Sequence, residues 1–283
     1  MELLDGKLLS AKIKDEVKAL SDSYHKTPVL AVITVGQDEA SAVYVNNKKK
    51  ACEYADMSMM HFNFDDGEKE EKIIKRIKAL NKDDSVNGII VQLPLPKQYD
   101  TNKIINTINP DKDVDGLTYI SQGKLLNDED TFIPCTPKGI LALLDYYKID
   151  LEGKHVVIVG RSSLVGKPMI ALCLKRNATV TMCHSKTKNL SEYTLPADVL
   201  IVATGKKHLI DSQMVKKGVI IIDVGITKED NKLYGDVNPN VESKASYLTP
   251  VPGGVGPMTV VMLLKNTMEA YLKQNKEEKG PSF

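Results

Sequence analysis

Ser41, Tyr44 and Lys48 stand three and four positions apart, so a helix would set them on one face. A tyrosine one turn from a lysine offers a flat ring for stacking and an amine that can carry a proton. Gln92 ends an apolar run just before Leu93-Pro94-Leu95-Pro96. Asp115 lies at the end of the loop Asn109-Pro110-Asp111-Lys112-Asp113-Val114-Asp115-Gly116. Both would point from carboxyl-side loops toward an interdomain cleft, adding an amide and a carboxylate to the amine. Taken singly, each has a plainer reading: a packed tyrosine, a solvated run Lys48-Lys49-Lys50, or a turn residue.

A second set suits an anion. Val159-Gly160-Arg161-Ser162-Ser163-Leu164-Val165-Gly166-Lys167-Pro168 follows an apolar strand and opens a helix. Backbone N–H groups and the helix dipole at such a start attract phosphate. The usual fingerprint has glycine where Ser162 stands and a small residue where Val165 stands, so the match rests on its context. NAD sites commonly place an acid about 20 residues further on, for the ribose 2′-hydroxyl. Here the next strand ends Cys183-His184-Ser185-Lys186, with no acid. An acid would repel a 2′-phosphate, whereas Arg161, Ser162, His184 and Ser185 could donate to one. The dinucleotide expected is therefore NADP. Thr204-Gly205 and Asp223-Val224-Gly225 also follow strands, at the edge where such sheets bind ligands. The run from Thr249 to Thr259 combines three glycines with three prolines, a stiff loop that backbone or ligand can approach closely.

The elements that must hold these residues follow from apolar periodicity. Asp5 can cap a helix bearing Leu9, Ile13, Val17 and Leu20. Val29–Val35 reads as a buried strand, and Asp38 can cap a helix from about Glu39 to Ala55. A strand near Met57–Phe64, a helix with Ile73, Ile74, Ile77 and Leu80, and a strand Ile89–Val91 follow. Strands alternating with helices imply a parallel sheet. Residues 101–136 read as loop-rich, and a helix near Pro137–Tyr147 leads to the second half. There the strands His155–Val159, Thr179–Cys183, Val199–Ala203 and Val219–Val224 give a doubly wound, Rossmann-type α/β pattern. Lys228–Gly235 reads as a small excursion. A last helix from Pro257 carries Val261, Leu264, Met268, Tyr271 and Leu272, and is expected to cross back onto the first domain.

The chain has 283 residues, which suggests two domains, here 1–138 with the returning helix 257–275, and 139–256. It is 42% hydrophobic and 27% charged, with 38 basic against 37 acidic residues. That balance gives no global field to draw nucleic acid or a membrane surface. The cysteines at 52, 135, 173 and 183 form no CxxC pair or zinc spacing, so reduced thiols in a cytoplasmic protein and no metal site are expected. No apolar run reaches the ~18 residues of a membrane span.

Taken together, Ser41-x-x-Tyr44-x-x-x-Lys48-x-Lys50, Val91–Pro96, Lys112–Gly116, Pro134-Cys135-Thr136-Pro137, Val159–Ser162 with Val165-Gly166-x-Pro168, and Thr249–Thr259 resemble the bifunctional methylenetetrahydrofolate dehydrogenase/cyclohydrolase family, FolD in bacteria. The resemblance runs in order from near residue 3 to near residue 272. It implies oxidation of 5,10-methylenetetrahydrofolate to the methenyl form with NADP, then hydrolysis to 10-formyltetrahydrofolate, within one-carbon metabolism. It implies a catalytic set of Lys48, Gln92 and Tyr44, with Lys48 the catalytic lysine tuned by Gln92. Tyr44, Asp115, Pro252, Gly253 and Gly254 would bind the folate. Gly160, Arg161, Ser162, Val165, Gly166, Ser185, Thr204, Gly205, Gly225 and Ile226 would bind NADP. A homodimer is implied, through the Rossmann half. One departure stands out: where many relatives have Gly-Ile after the first-domain helix, this chain has Asp56-Met57. The alternatives are another NADP-dependent dehydrogenase of related architecture, shikimate- or malic-type, and a non-enzymatic folate or nucleotide sensor. The former would need a hydroxyl-proton acceptor, and the latter would be expected to lose Lys48 or Gln92.

Overall fold

The computed structural model describes residues 1–36 and 39–275. The expected Asp38 cap and the side chain of Ser41 lie outside the described residues. In chain order the elements are β1 (Glu2–Leu3), α1 (Gly6–Asp22), β2 (Val29–Val35), α2 (Glu39–Tyr54), β3 (Ser58–Phe64), α3 (Glu70–Asn81), β4 (Gly88–Val91), α4 (Thr101–Ile105), α5 (Tyr119–Leu126) and α6 (Cys135–Tyr146). They continue with β5 (His155–Val159), α7 (Gly166–Lys175), β6 (Thr179–Cys183), α8 (Leu190–Thr194), β7 (Val199–Val202), β8 (Ile220–Asp223), β9 (Thr227–Glu229), β10 (Lys232–Tyr234), β11 (Tyr247–Leu248) and α9 (Val255–Gln274).

These elements form two units. One comprises Ala11–Cys135 and the chain from Val260 onward. Its parallel sheet has the order β3-β2-β4. Every residue of β4 is buried, and all of β2 but Val29, so both strands read as continuous apolar runs. On α3 the predicted stripe Ile73, Ile77 and Leu80 is buried against this sheet with Val86, Ile89 and Val91. The spacing of three and four puts those side chains on one helical face.

The other unit comprises Met1–Ser10 and Thr136–Thr259. Among its described residues a six-stranded parallel sheet runs β1-β11-β8-β7-β5-β6. The chain winds outward from β5 to β6, then returns to β7 and winds the other way to β8. That reversal between β5 and β7 is the switch point at which open α/β sheets bind ligands. Strands β9 and β10 form the expected excursion as an antiparallel hairpin.

Three expectations need correction. Met1–Ser10 was expected with the first domain, but Glu2 and Leu3 pair with Tyr247 and Leu248 in the nucleotide-type sheet. Strands of two residues leave no periodic trace in a sequence. The stretch 101–136 is less irregular than expected, since it holds α4 and α5. Asp100 caps the first, accepting the Lys103 N–H at 3.0 Å, and Thr118 caps the second, accepting the Ser121 N–H at 3.1 Å. Finally, α9 starts at Val255 rather than at Pro257. Proline is tolerated there because first-turn N–H groups lack helical partners anyway.

The Asp56 departure is local. Asp56 adopts φ 50, the left-handed region that favours glycine. It is ion-paired with Lys18, and its carbonyl accepts the Ser21 hydroxyl at 3.2 Å, so the exit of α2 is tied to α1. These bonds engage none of the expected site residues.

From Val260 onward, α9 is anchored by one fully buried amide. Asn266 Nδ2 donates to the carbonyls of Val114 at 2.7 Å and Ile133 at 3.0 Å. Val114 immediately precedes Asp115, so this bond holds the loop that carries the carboxylate. Asn266→Ala leaves two buried acceptors without that donor, and should cost about 2–3 kcal/mol. A lower urea midpoint at unchanged slope is the expected readout, and an unmoved midpoint contradicts it.

Candidate active site

In the sheet unit β3-β2-β4, α2 presents Tyr44 with 45% of its surface exposed and Lys48 partly buried one turn later. Lys48 Nζ donates to Gln92 Oε1 at 2.7 Å. Gln92 cannot readily turn its amide round, because Nε2 donates to the Leu93 carbonyl at 2.9 Å. Its backbone N–H also donates to Ile33 O at 2.8 Å, extending the β2–β4 pairing past the end of the strand. The position of the acceptor facing the lysine is thus inherited from the sheet.

The motif Lys112–Gly116 divides its labour. Lys112, 6% exposed, donates from Nζ to the carbonyls of Leu80 at 3.1 Å and Asp83 at 2.7 Å, at the end of α3. Asp113 is 1% exposed and accepts from Leu117 N at 3.1 Å, Thr118 N at 2.8 Å and Ser121 Oγ at 2.7 Å. Those two residues fix the loop. Asp115 is left to take hydrogen bonds from the backbone N–H and thiol of Cys135. Gly116 makes the turn behind it at φ 64, where a Cβ would sit 2.4 Å from Phe132 O. No side chain fits there.

Electrostatics in this site are set by desolvation. Burial pushes the Lys48 ammonium below the ordinary lysine range, although Asp115 and the thiols of Cys135 and Cys52 pull the other way. Burial likewise pushes the Asp115 carboxyl up, against the attraction of Lys48 and the hydrogen bonds from Cys135. Both charged forms are disfavoured, so the pair is shifted toward amine and acid. Cys52 is pushed up to about 12, chiefly by burial, which leaves it a thiol and a poor nucleophile.

The other unit holds the glycine turn. Gly160 has φ 126, and a Cβ on it would lie 2.3 Å from Ala203 O, at the end of β7. A Cβ on Gly166 would lie 2.0 Å from Gly160 O. Gly166, rather than the buried Val165, therefore fills the role of the close-approach glycine, which explains why the fingerprint reads imperfectly. Ser162, in the expected glycine position, accepts the Val165 N–H on its Oγ at 3.2 Å and the Lys167 N–H on its carbonyl at 3.0 Å. Arg161, Ser162 and Ser185 are exposed, and no acid follows β6. His184 accepts the Lys186 N–H on Nδ1 at 3.1 Å, so that nitrogen belongs to its own turn. This cradle of backbone with exposed donors fits a dinucleotide carrying an extra phosphate.

Further along the same edge, Thr204 and Gly205 are bound to Asp236, and Gly225 to Asp223. Ile226 is 42% exposed beside them in sequence. Of the loop Pro252-Gly253-Gly254, Gly253 has φ 111 and its carbonyl accepts Lys7 N–H at 2.8 Å. Gly254 could not carry a side chain, since its Cβ would lie 2.7 Å from Pro250 O. Sequence reasoning missed Asn266, Cys135 and Asp236 as supporting residues. Cys135 had a signal, since it sits within Pro134-Cys135-Thr136-Pro137.

Two family descriptions match the chain: the tetrahydrofolate dehydrogenase/cyclohydrolase catalytic domain over residues 4–115, and the NAD(P)-binding domain of the same enzymes over residues 134–275. The chain belongs to the tetrahydrofolate dehydrogenase/cyclohydrolase family. It is 51% identical to the bifunctional protein FolD of Thermodesulfovibrio yellowstonii, over 97% of this chain and 98% of that one. The crystal structure of FolD from Campylobacter jejuni superposes with a TM-score of 0.94 at 48% identity, covering 96% of this chain and 99% of that one. The Trypanosoma brucei dehydrogenase-cyclohydrolase, solved with NADP and an inhibitor, gives a TM-score of 0.90 at 32% identity, over 95% and 96% of the two chains. A fold of this family with Gly160→Ala must move the Ala203 carbonyl or the turn itself. Affinity for a nicotinamide dinucleotide should fall at least about tenfold (about 1.4 kcal/mol) by calorimetric titration. Unaltered affinity contradicts the assignment of the turn.

Proposed function

We propose that this protein oxidises 5,10-methylenetetrahydrofolate to 5,10-methenyltetrahydrofolate with NADP, and hydrolyses the product to 10-formyltetrahydrofolate. The observation that carries the reading is the Lys48–Gln92 hydrogen bond beside Asp115, in a chain that belongs to this family along nearly its whole length. In this reading Tyr44 stacks on the folate and Asp115 binds the pterin. Pro252, Gly253 and Gly254 let the substrate approach backbone closely. Gly160, Val165 and Gly166 cradle the dinucleotide, and Thr204, Gly205, Gly225 and Ile226 line it. Arg161, Ser162 and Ser185 hold the 2′-phosphate.

NADP, when bound, supplies the hydride acceptor. The carbon that loses hydride sits between two nitrogens, so the cation formed is delocalised and no hydroxyl proton has to leave. The chain's contribution to that step is positioning. This separates the reading from a shikimate- or malic-type dehydrogenase, which must remove such a proton. Hydrolysis makes different demands. Water adding to the methenyl carbon must lose a proton, and the nitrogen must gain one as the C–N bond breaks. Lys48, biased toward the free amine by burial, accepts the first and returns one to the nitrogen. Gln92 Oε1 holds Nζ in place while adding no negative charge.

A homodimer formed through the Rossmann half, and a cytoplasmic location, belong to the same reading. Four buried cysteines, none of them in a disulfide, suit a reducing compartment.

Two variants test it. Lys48→Met should lower cyclohydrolase turnover by about 10²–10⁴-fold while NADP affinity stays nearly intact. Unchanged hydrolysis of the methenyl substrate would refute the role. Gln92→Glu places a carboxylate on Nζ and favours the ammonium. The active amine forms as pH rises through the Lys48 pKa, so the rising limb of the cyclohydrolase pH profile should move to higher pH and the rate at pH 7 should fall. A limb that stays in place or moves down contradicts the base role.

A further inference from the structure

Of two buried acids in the nucleotide-type unit, Asp223 belongs to the strand-end run Asp223-Val224-Gly225, and Asp236 belongs to no motif. Asp236 is wholly buried, and Asp223 is 4% exposed. One oxygen of Asp236, Oδ2, accepts three hydrogen bonds from a single turn: Thr204 N at 2.6 Å, Thr204 Oγ1 at 2.9 Å and Gly205 N at 3.1 Å. Asp223 accepts Gly225 N at 3.1 Å and Asp236 N at 3.0 Å on Oδ1, and Val237 N at 3.0 Å on Oδ2. The turn after β7 is thereby held to the segment 235–237, and that segment to the turn after β8. The glycines show how tightly this is built. A Cβ on Gly225 would lie 2.0 Å from the Asp236 carboxylate, and one on Gly235 would lie 1.9 Å from Asp223 Oδ2. Asp236 Oδ1 is buried against Gly225 with no hydrogen-bond partner.

A buried acid without an ion-pair partner is expensive, and a fold that needed only a turn here would not require one. The cost is visible at Asp223, which is pushed up to about 7, first by burial and then by the neighbouring Asp236 carboxylate, against the pull of its three N–H donors. What the pair achieves is to fix two turns, Thr204-Gly205 and Gly225, on the ligand-binding edge of the sheet next to the β5–β7 switch point. We propose that Asp236 is a positioning residue for the dinucleotide, shaping the Thr204-Gly205 turn through Oδ2 and setting its distance from Gly225 through the packed, unpartnered Oδ1. This rests on the NADP reading above.

The prediction separates the acceptor from the charge. In Asp236→Asn the amide oxygen can take the Oδ2 place and keep all three donors, while the amide nitrogen replaces an oxygen that bonds nothing. Asp236→Ala strands Thr204 N, Thr204 Oγ1 and Gly205 N. Titration calorimetry of NADP into the folate-free protein should show Kd raised at least tenfold for Asp236→Ala and within about threefold of wild type for Asp236→Asn. Cyclohydrolase turnover per folded molecule should be retained in both, since Lys48 and Gln92, which carry the proton transfers of that step, lie in the other unit. Three results would overturn the inference: an unchanged Kd in Asp236→Ala, an equal loss in Asp236→Asn, or loss of both activities in proportion to unfolding. Should Asp236→Ala fail to fold, Thr204→Val removes one donor from Oδ2 and should weaken NADP at least threefold, and no change there equally overturns it. If wild type itself fails to bind NADP, the underlying reading falls and this inference with it.

Discussion

In the proposed reaction, burial of one amine governs the catalytic chemistry of this chain. A lysine in water is charged throughout the physiological range, and a charged lysine cannot accept a proton. The fold works against that charge by surrounding Nζ of Lys48 with protein and giving it a neutral amide as its hydrogen-bond partner. Had a carboxylate followed β4 in place of Gln92, the same geometry would have produced an ion pair and an inert ammonium. Among the described residues, Asp115 is the acid that acts on Lys48, and burial presses it toward its own neutral form. Desolvation wins over attraction on both partners.

Much of the surrounding architecture serves to place groups around that amine. The sheet positions Gln92 through the Ile33 carbonyl. Lys112 and Asp113 give up solvent to anchor the loop that ends in Asp115, and Asn266 ties that loop to α9. The nucleotide-type unit follows the same logic with different means. Its glycines remove side chains where backbone must approach backbone, and its buried acids gather N–H groups of separate turns. In both units a charged or polar side chain that reads as a surface residue turns inward and holds a loop.

How much of this could be read from the chain depended on range. Strands β2 and β5 were legible to the residue because continuous apolar runs between turn residues leave little choice. The stripe on α3 was legible for the same reason. The pairing of β1 with β11 was not, because two residues carry no period and their partners lie more than 200 positions away. The helices α4 and α5 were missed because each is only about two turns or less, and their Asp100 and Thr118 caps resemble ordinary turn residues. At the site, the helical spacing of Tyr44 and Lys48 was visible, but their meaning came from the family's motifs. Asn266 and Asp236 were invisible because what defines them is a partner carbonyl or turn remote in sequence. The one local trace was a glycine near each buried acid, Gly225 two positions after Asp223 and Gly235 just before Asp236, and it becomes readable only once the carboxylates are seen to fill the missing Cβ positions.

The central claim concerns the protonation of Lys48, and it can be measured without substrate. The ε-carbon shift of Lys48, labelled with ¹³C and assigned by its absence in Lys48→Met, reports the titration of Nζ directly. A desolvated Nζ gives a midpoint clearly below the ordinary lysine value of about 10.4. A midpoint at or above that value would mean that Lys48 remains an ammonium at neutral pH, and would contradict its assignment as the base.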